Sequence, residues 1–273
     1  MRLSDEQHAF LDTQGYLMVP DALQGELLAQ VRETFYRVEE ETRPAWKESL
    51  DRPPDFKPYG LGPTAHVVEP IVTHADIFLD LLEYPLTVST LLAFLGPDIQ
   101  MLDNALHVKP AGTRTHTRWH RDAAVGVYSG HGWSAEESRA WERTKACKRP
   151  CAKLKVFFFV DDIDAETGPF SVVPGTHKLE VDRVPQYDPL TEMPGHVQMV
   201  GKAGTALIWH ATIWHTAMDN TGTRNRRMIL YNYAHYGMKQ YEPCVPTAEL
   251  AARARRRSPL CRQLLGLERM SGI

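Results

Sequence analysis

Short runs rich in β-branched and aromatic residues, each closed by turn formers, recur from about residue 98 to residue 234, and they constrain the fold more than any other feature of the chain. They fall at 98–109, 117–121, 154–160, 170–173, 197–200, 204–209, 212–216 and 226–234. Short strands at this spacing predict an all-β sandwich or barrel. One segment interrupts them: residues 134–146 read as an inserted helix.

The preceding hundred residues have a helical texture. Ser4 with Gln7 predicts a capping box on a helix that ends at Gly15. Tyr16 to Pro20 reads as a short strand. Leu27, Leu28, Val31, Phe35 and Val38 recur at helical spacing and predict a helix over 24–42. Residues 43–68 carry Pro53, Pro54, Pro58, Tyr59, Gly60, Gly62 and Pro63 and read as an irregular loop, of the kind that forms lids or plain surface excursions. Helices are expected again over 74–83 and 86–95. The expected organisation is a single domain over 1–273: a helical part over about 1–97, a barrel over about 98–236 with an insertion at 123–150, and a helical tail over 237–273.

Composition narrows the function classes. The 273 residues are 43% hydrophobic with a net charge of -3, which argues against a dedicated nucleic-acid binder. The basic run Arg253-Ala254-Arg255-Arg256-Arg257 reads as a solvated helix face. The N-terminus lacks the apolar core of a signal peptide, and no apolar run approaches the ~20 residues of a membrane span. The four cysteines (147, 151, 244, 261) form no zinc-ribbon pattern, so reduced thiols in a cytoplasmic protein are expected. Oligomeric state has no signature in the sequence.

Two His-x-Asp triplets occur. His74-Ala75-Asp76 opens an apolar helical run, where Asp76 suits the positive end of the helix dipole. His120-Arg121-Asp122 ends a β-like run before a loop, a context suited to a metal site. Two histidines and one carboxylate leave several coordination positions open, as oxygen activation at Fe(II) requires. The third ligand comes from His210 or His215. His215 is favoured, and His210 reads as an interior or supporting histidine. Beyond it, Arg226 opens a strand-like run. A cation pointing into a barrel needs an anionic partner: a bidentate dicarboxylate ligand, or an internal Asp or Glu.

With these motifs in hand, the chain resembles the phytanoyl-CoA dioxygenase family. The resemblance rests on Gln7-His8-Ala9-Phe10-Leu11 through Tyr16, on His-Val-Lys-Pro at 107–110 ahead of His120, and on Asp162 through Phe170. It continues in Val173-Pro174-Gly175-Thr176-His177-Lys178 and in His215, Asn220 and Arg226 in that order. It implies a mainly β protein with flanking helices, folded as a double-stranded β-helix, a jelly-roll or cupin-like barrel. It also implies Fe(II) at His120, Asp122 and His215, with 2-oxoglutarate held by Arg226. The expected activity is oxidation, most simply hydroxylation, of a small organic substrate by O2, with release of succinate and CO2.

The chain departs from the family pattern in places. Ala217 stands where many members carry a hydroxyl that helps hold the far carboxylate of 2-oxoglutarate, and the adjacent Thr216 points to the other side of its strand. Arg118 replaces a more usual polar residue and is expected either at the near carboxylate of 2-oxoglutarate or an acidic substrate, or in a surface ion pair. Phe157 falls where members place an aromatic beside the cosubstrate, or else simply packs. Thr176 replaces the usual serine. Relatives that halogenate lack the carboxylate ligand, so Asp122 argues against halogenation. Two rivals remain: a cupin-like metal enzyme that does not use 2-oxoglutarate, and a non-catalytic barrel, with His116 or His210 as a fourth ligand to structural zinc.

Overall fold

The computed structural model describes residues 2–51, 64–114, 119–122, 153–178 and 193–269. The chain enters through α1 (Asp5–Gln14), capped as its sequence requires. The Ser4 hydroxyl accepts from the Gln7 N–H, the Gln7 side chain accepts from the Ser4 N–H, and Gly15 closes the helix at φ 80°. A cap of this kind contributes about 1 kcal/mol. Strand β1 (Tyr16–Val19) follows, then α2 (Gly25–Ser49), which buries Val31, Phe35 and Val38.

Helix α2 runs past the expected end at 42. Pro44 lies inside it and removes one backbone donor. The last turn is held by packing instead: Trp46 stacks on His66 at 5.0 Å, and Thr42 Oγ1 lies 3.0 Å from His66 Nε2. His66 belongs to β2 (His66–Val68), a strand not foreseen in what read as loop. The apolar stretch beyond it forms α3 (Asp76–Leu82) and α4 (Pro85–Leu95). By length and hydropathy alone the stretch Asp76–Leu95 would suffice to cross a membrane, contrary to the expectation from sequence. Its Phe78, Leu79, Leu81, Leu82, Leu86 and Leu91 are instead buried in the protein core. Asp76 sits in the first turn of α3, which bears out the structural reading of His74-Ala75-Asp76.

The β-rich part supplies β3 (Ile99–Lys109), β4 (Lys153–Phe159), β5 (Phe170–Val173), β6 (Val197–Met199), β7 (Ala206–His210), β8 (Trp214–Ala217) and β9 (Arg226–His235). Two antiparallel sheets result, ordered β1-β7-β4-β9-β3-β2 and β6-β5-β8. The strand expected at 117–121 is not a strand in its described part. There, His120 makes a single antiparallel bridge to His215. The expected helix at 134–146 lies outside the described residues.

The alternation along each strand decides what faces where. Phe157 and Phe159 of β4, Leu207 and Trp209 of β7, and Met228 and Leu230 of β9 pack against Phe170 and Val172 of β5, closing the two sheets over a shared interior. The opposite face of the large sheet packs on the helices. Tyr231 and Tyr233 cross that boundary and donate their hydroxyls to Phe78 O and Leu82 O of α3. The tail contributes α5 (Ala248–Ala254) and α6 (Pro259–Leu264). Within the basic run, Arg253 and Arg257 pair with Asp76 and Asp80, tying α5 to α3, while Arg255 and Arg256 are exposed.

Candidate metal centre

Two separated stretches of backbone, 120–122 and 211–215, bring the candidate ligands together. The bridge between His120 and His215 is closed by His120 N–H to His215 O (3.0 Å) and His215 N–H to His120 O (2.9 Å). Asp122 is anchored by its N–H to Ala211 O at 3.0 Å. One ligand atom from each of His120, Asp122 and His215 then lies within 4.8 Å of the others. Asp122 Oδ1 is 3.8 Å from His120 Nε2 and 3.9 Å from His215 Nε2.

The local chemistry prepares these atoms for a cation. The His215 Nδ1 sits 2.8 Å from Ile213 O, which fixes the proton there and turns the Nε2 lone pair toward Asp122. Burial holds His215 down to about 3, so the ring is neutral. Burial would raise Asp122, but the Lys155 ammonium outweighs it and holds the carboxylate well below its ordinary range. Two imidazoles and an ionised carboxylate on one side of a point are the donor set of a facial Fe(II) site. The residues present therefore fit the metal.

Thr176 and Thr167 stabilise this arrangement from two neighbouring turns. Thr176 Oγ1 accepts from Trp214 N–H at 2.9 Å and donates to Val173 O, so threonine keeps the hydroxyl bonds that fix the start of β8. In the turn after β4, the Asp164 carboxylate accepts from the N–H groups of Glu166 and Thr167. Gly168 follows at φ 72°, and its carbonyl accepts from Arg226 Nη1 at 2.5 Å. A Cβ at Gly168 would meet Met218 O at 2.7 Å. Gly168→Ala is expected to cost roughly 1–3 kcal/mol of stability and to weaken binding at Arg226, both readable from thermal unfolding with and without ligand.

Arg226 lies on the interior face of β9, 6% exposed. Its Nε has no hydrogen-bond partner, and no carboxylate ion-pairs it among the described residues. Burial alone lowers it to about 10, so it stays charged. An internal acid as its partner, the alternative left open by the sequence, is absent among the described residues. Its neighbours differ. Arg224 pairs with Asp164, and Arg227, on the other face of β9, pairs with Glu39 and Asp161.

The structure brings to the site residues to which the sequence reading gave no role there. Lys109 lies opposite Arg226 in the β3–β9 register and is 3% exposed. Lys155 Nζ lies 2.6 Å from Asp122 Oδ2 and 5.2 Å from the centre of the Trp209 ring. Trp209 packs 4.6 Å from the His215 ring, and Phe170 5.2 Å from it. The signal was available for Lys155: alternation puts it on the same strand face as Phe157. Phe157 does face the interior, edge-on to Phe170 at 5.2 Å. His210 bonds Thr212 through Nδ1 and is not part of the cluster. Asn220 donates to Lys109 O and Arg224 O, bracing the two strand ends that carry Lys109 and Arg226. Arg118 and His116 lie outside the described residues.

A barrel of this topology with such a donor set defines the class of mononuclear, iron-dependent oxygenases. The family model for phytanoyl-CoA dioxygenase (PhyH) matches residues 11–228. The chain belongs to the phytanoyl-CoA dioxygenase family of Fe(II)- and 2-oxoglutarate-dependent oxygenases. Among curated relatives, L-proline trans-4-hydroxylase of Streptomyces griseoviridis is 22% identical over 184 residues, which cover 58% of this chain and 63% of that protein. Among solved structures, the fold matches the non-heme alpha-ketoglutarate-dependent carbocyclase SnoK from nogalamycin biosynthesis, with a TM-score of 0.63 and 21% identity over 94% of this chain and 92% of that one. HygX from Streptomyces hygroscopicus, solved with nickel and 2-oxoglutarate, gives a TM-score of 0.65 at 15% identity over 92% and 94%. EctD from S. alaskensis, solved with iron, gives 0.65 at 19% over 94% and 86%. These matches share the jelly-roll fold.

Proposed function

We propose that this chain is an Fe(II)- and 2-oxoglutarate-dependent dioxygenase that hydroxylates a small organic substrate, with residues 1–273 acting as one catalytic unit. The observation that carries this reading is Arg226: a buried guanidinium without an anionic partner among the described residues, on the interior face of the barrel. A buried cation of this kind is costly unless a ligand neutralises it. A rival metal enzyme that does not use 2-oxoglutarate leaves it unexplained.

In this reading His120, Asp122 and His215 hold Fe(II). Bound there with 2-oxoglutarate, the metal supplies oxidation of a C–H bond by O2 with release of succinate and CO2. The rest is the protein's contribution. Arg226 grips the far carboxylate of the cosubstrate, with Lys109 beside it in place of the hydroxyl missing at Ala217. Phe157, Phe170 and Trp209 line the space next to His215 and exclude water. Arg118 remains a candidate for the near carboxylate. The intact Asp122 supports hydroxylation over halogenation. A relative that acts on L-proline, and HygX solved with hygromycin B, support a small-molecule substrate.

Lys109 gives this reading a pH signature. Burial first, then Arg226, lowers it from 10.5 to about 8. It is therefore cationic at pH 7 and neutral above about 8, and 2-oxoglutarate is expected to bind more weakly as pH rises through about 8. The same shift makes protonation unfavourable in the fold, so the ligand-free protein loses stability as pH falls from 10.5 to about 8, and no more below that. Lys109→Met is expected to flatten the pH profile of 2-oxoglutarate binding, and to stabilise the ligand-free protein at pH 7 by on the order of 2 kcal/mol. Calorimetric titration and thermal unfolding read the two effects.

The direct test of the whole reading is a visible spectrum of the purified protein with Fe(II) and 2-oxoglutarate under anaerobic conditions. A weak charge-transfer band that needs both components is expected. Iron binding without the band would favour the rival metal enzyme, and no iron binding would favour a non-catalytic barrel.

A further inference from the structure

Lys155 is surrounded by acids from separate parts of the fold. Its ammonium is 2.6 Å from Asp122 Oδ2, and it also interacts with Asp103 of β3 and with Glu69, which precedes the turn before α3. Trp209 covers it from β7, and Asn232, its register partner on β9, donates to Asp103 at 2.7 Å. Lys153, on the same strand, carries a like charge. The two oxygens of Asp122 are thereby made unequal: Oδ1 faces both histidine Nε2 atoms, and Oδ2 is turned to Lys155.

We propose that Lys155 is a positioning residue that engages the outer oxygen of Asp122, leaves this carboxylate a single oxygen for the metal, and serves as its counter-cation in the metal-free protein. This inference rests on the metal-binding reading above. It follows from two elementary effects. A carboxylate whose second oxygen is held by an ammonium does not swing to chelate through both oxygens. A fixed positive charge next to a carboxylate also competes with a divalent cation for it. Lys155 therefore lowers metal affinity while preserving the open coordination position that the cosubstrate needs.

The test uses Co(II), whose visible spectrum reports coordination, on the full chain without oxygen. Lys155→Met is expected to bind Co(II) at least tenfold more tightly than wild type and to bind 2-oxoglutarate at least tenfold more weakly once loaded. Without metal it is expected to unfold at a lower temperature, and to gain more from added Co(II) than wild type does. Lys155→Arg should stay within threefold of wild type in both affinities. If Lys155→Met proves too unstable to purify without metal, Lys155→Gln, of similar length and neutral, carries the same two expectations. Equal or weaker Co(II) binding in the neutral variants would overturn the role of Lys155. Wild-type protein that binds no Co(II), or Asp122→Ala protein that binds it as well as wild type, would overturn the metal-site reading instead.

Discussion

Asp122→Ala protein is expected to form succinate at least about a thousandfold more slowly than wild type, a loss of roughly 4 kcal/mol in transition-state terms. The carboxylate is the one anionic member of the cluster formed by His120, Asp122 and His215, so its loss leaves two neutral donors for a divalent cation. The substitution has a second consequence. Lys155 loses the acid 2.6 Å from its ammonium while staying largely shielded from solvent, and because Asp103 and Glu69 still offset its charge the cost should fall below the ~3–5 kcal/mol of breaking a fully buried pair. The melting temperature should therefore fall along with activity, and circular dichroism is needed to show that the protein still folds at the assay temperature. Asp122→Asn separates the effects further: it keeps the side-chain volume and one oxygen but removes the charge, so metal binding should fail again. Asp122→Ala protein with wild-type iron-dependent succinate formation would remove Asp122 from the site.

Much of this architecture could be read before any coordinates, for identifiable reasons. The cap at Ser4 and the turn at Gly15 are local, set by residues a few positions apart, and they fold as read. The strands β3, β4, β5, β7 and β9 were legible because short runs of strand-forming residues are closed by turn formers. The triad was legible because His120 and Asp122 are neighbours and His215 follows in the family order. What escaped depends on contacts distant in sequence. Helix α2 outlasts Pro44 because Trp46 finds His66, and β2 exists because β3 offers it an edge. Lys109 entered the sequence reading only as half of a Lys-Pro pair and Lys155 only as part of a strand, until the fold sets one across from Arg226 and the other against Asp122. Charge on an interior strand position was the signal. It becomes decisive only when the partner strand is known.

Replacing Arg226 should produce the second large effect, and in a combination of signs that tells its possible roles apart. If Arg226 holds the far carboxylate of 2-oxoglutarate, Arg226→Met removes a buried charge-assisted pair, a loss of about 3 kcal/mol or roughly a hundredfold in affinity. The Michaelis constant for 2-oxoglutarate should rise accordingly, with a smaller change in the rate at saturation. Neighbouring arginines cannot take over: Arg224 is committed to Asp164, and Arg227 faces away into Glu39 and Asp161. Stability should move the other way. Wild type buries a guanidinium that has no carboxylate partner among the described residues, so the ligand-free Arg226→Met protein should melt no lower than wild type, the lost bond to Gly168 O being offset by relief of that burial. Adding 2-oxoglutarate at a hundred times its dissociation constant stabilises a protein by about 2.7 kcal/mol; metal-loaded wild type should show that shift, and the variant at the same concentration should show little of it. A structural arginine would give the reverse pattern: a lower melting temperature without ligand and an unchanged shift with it.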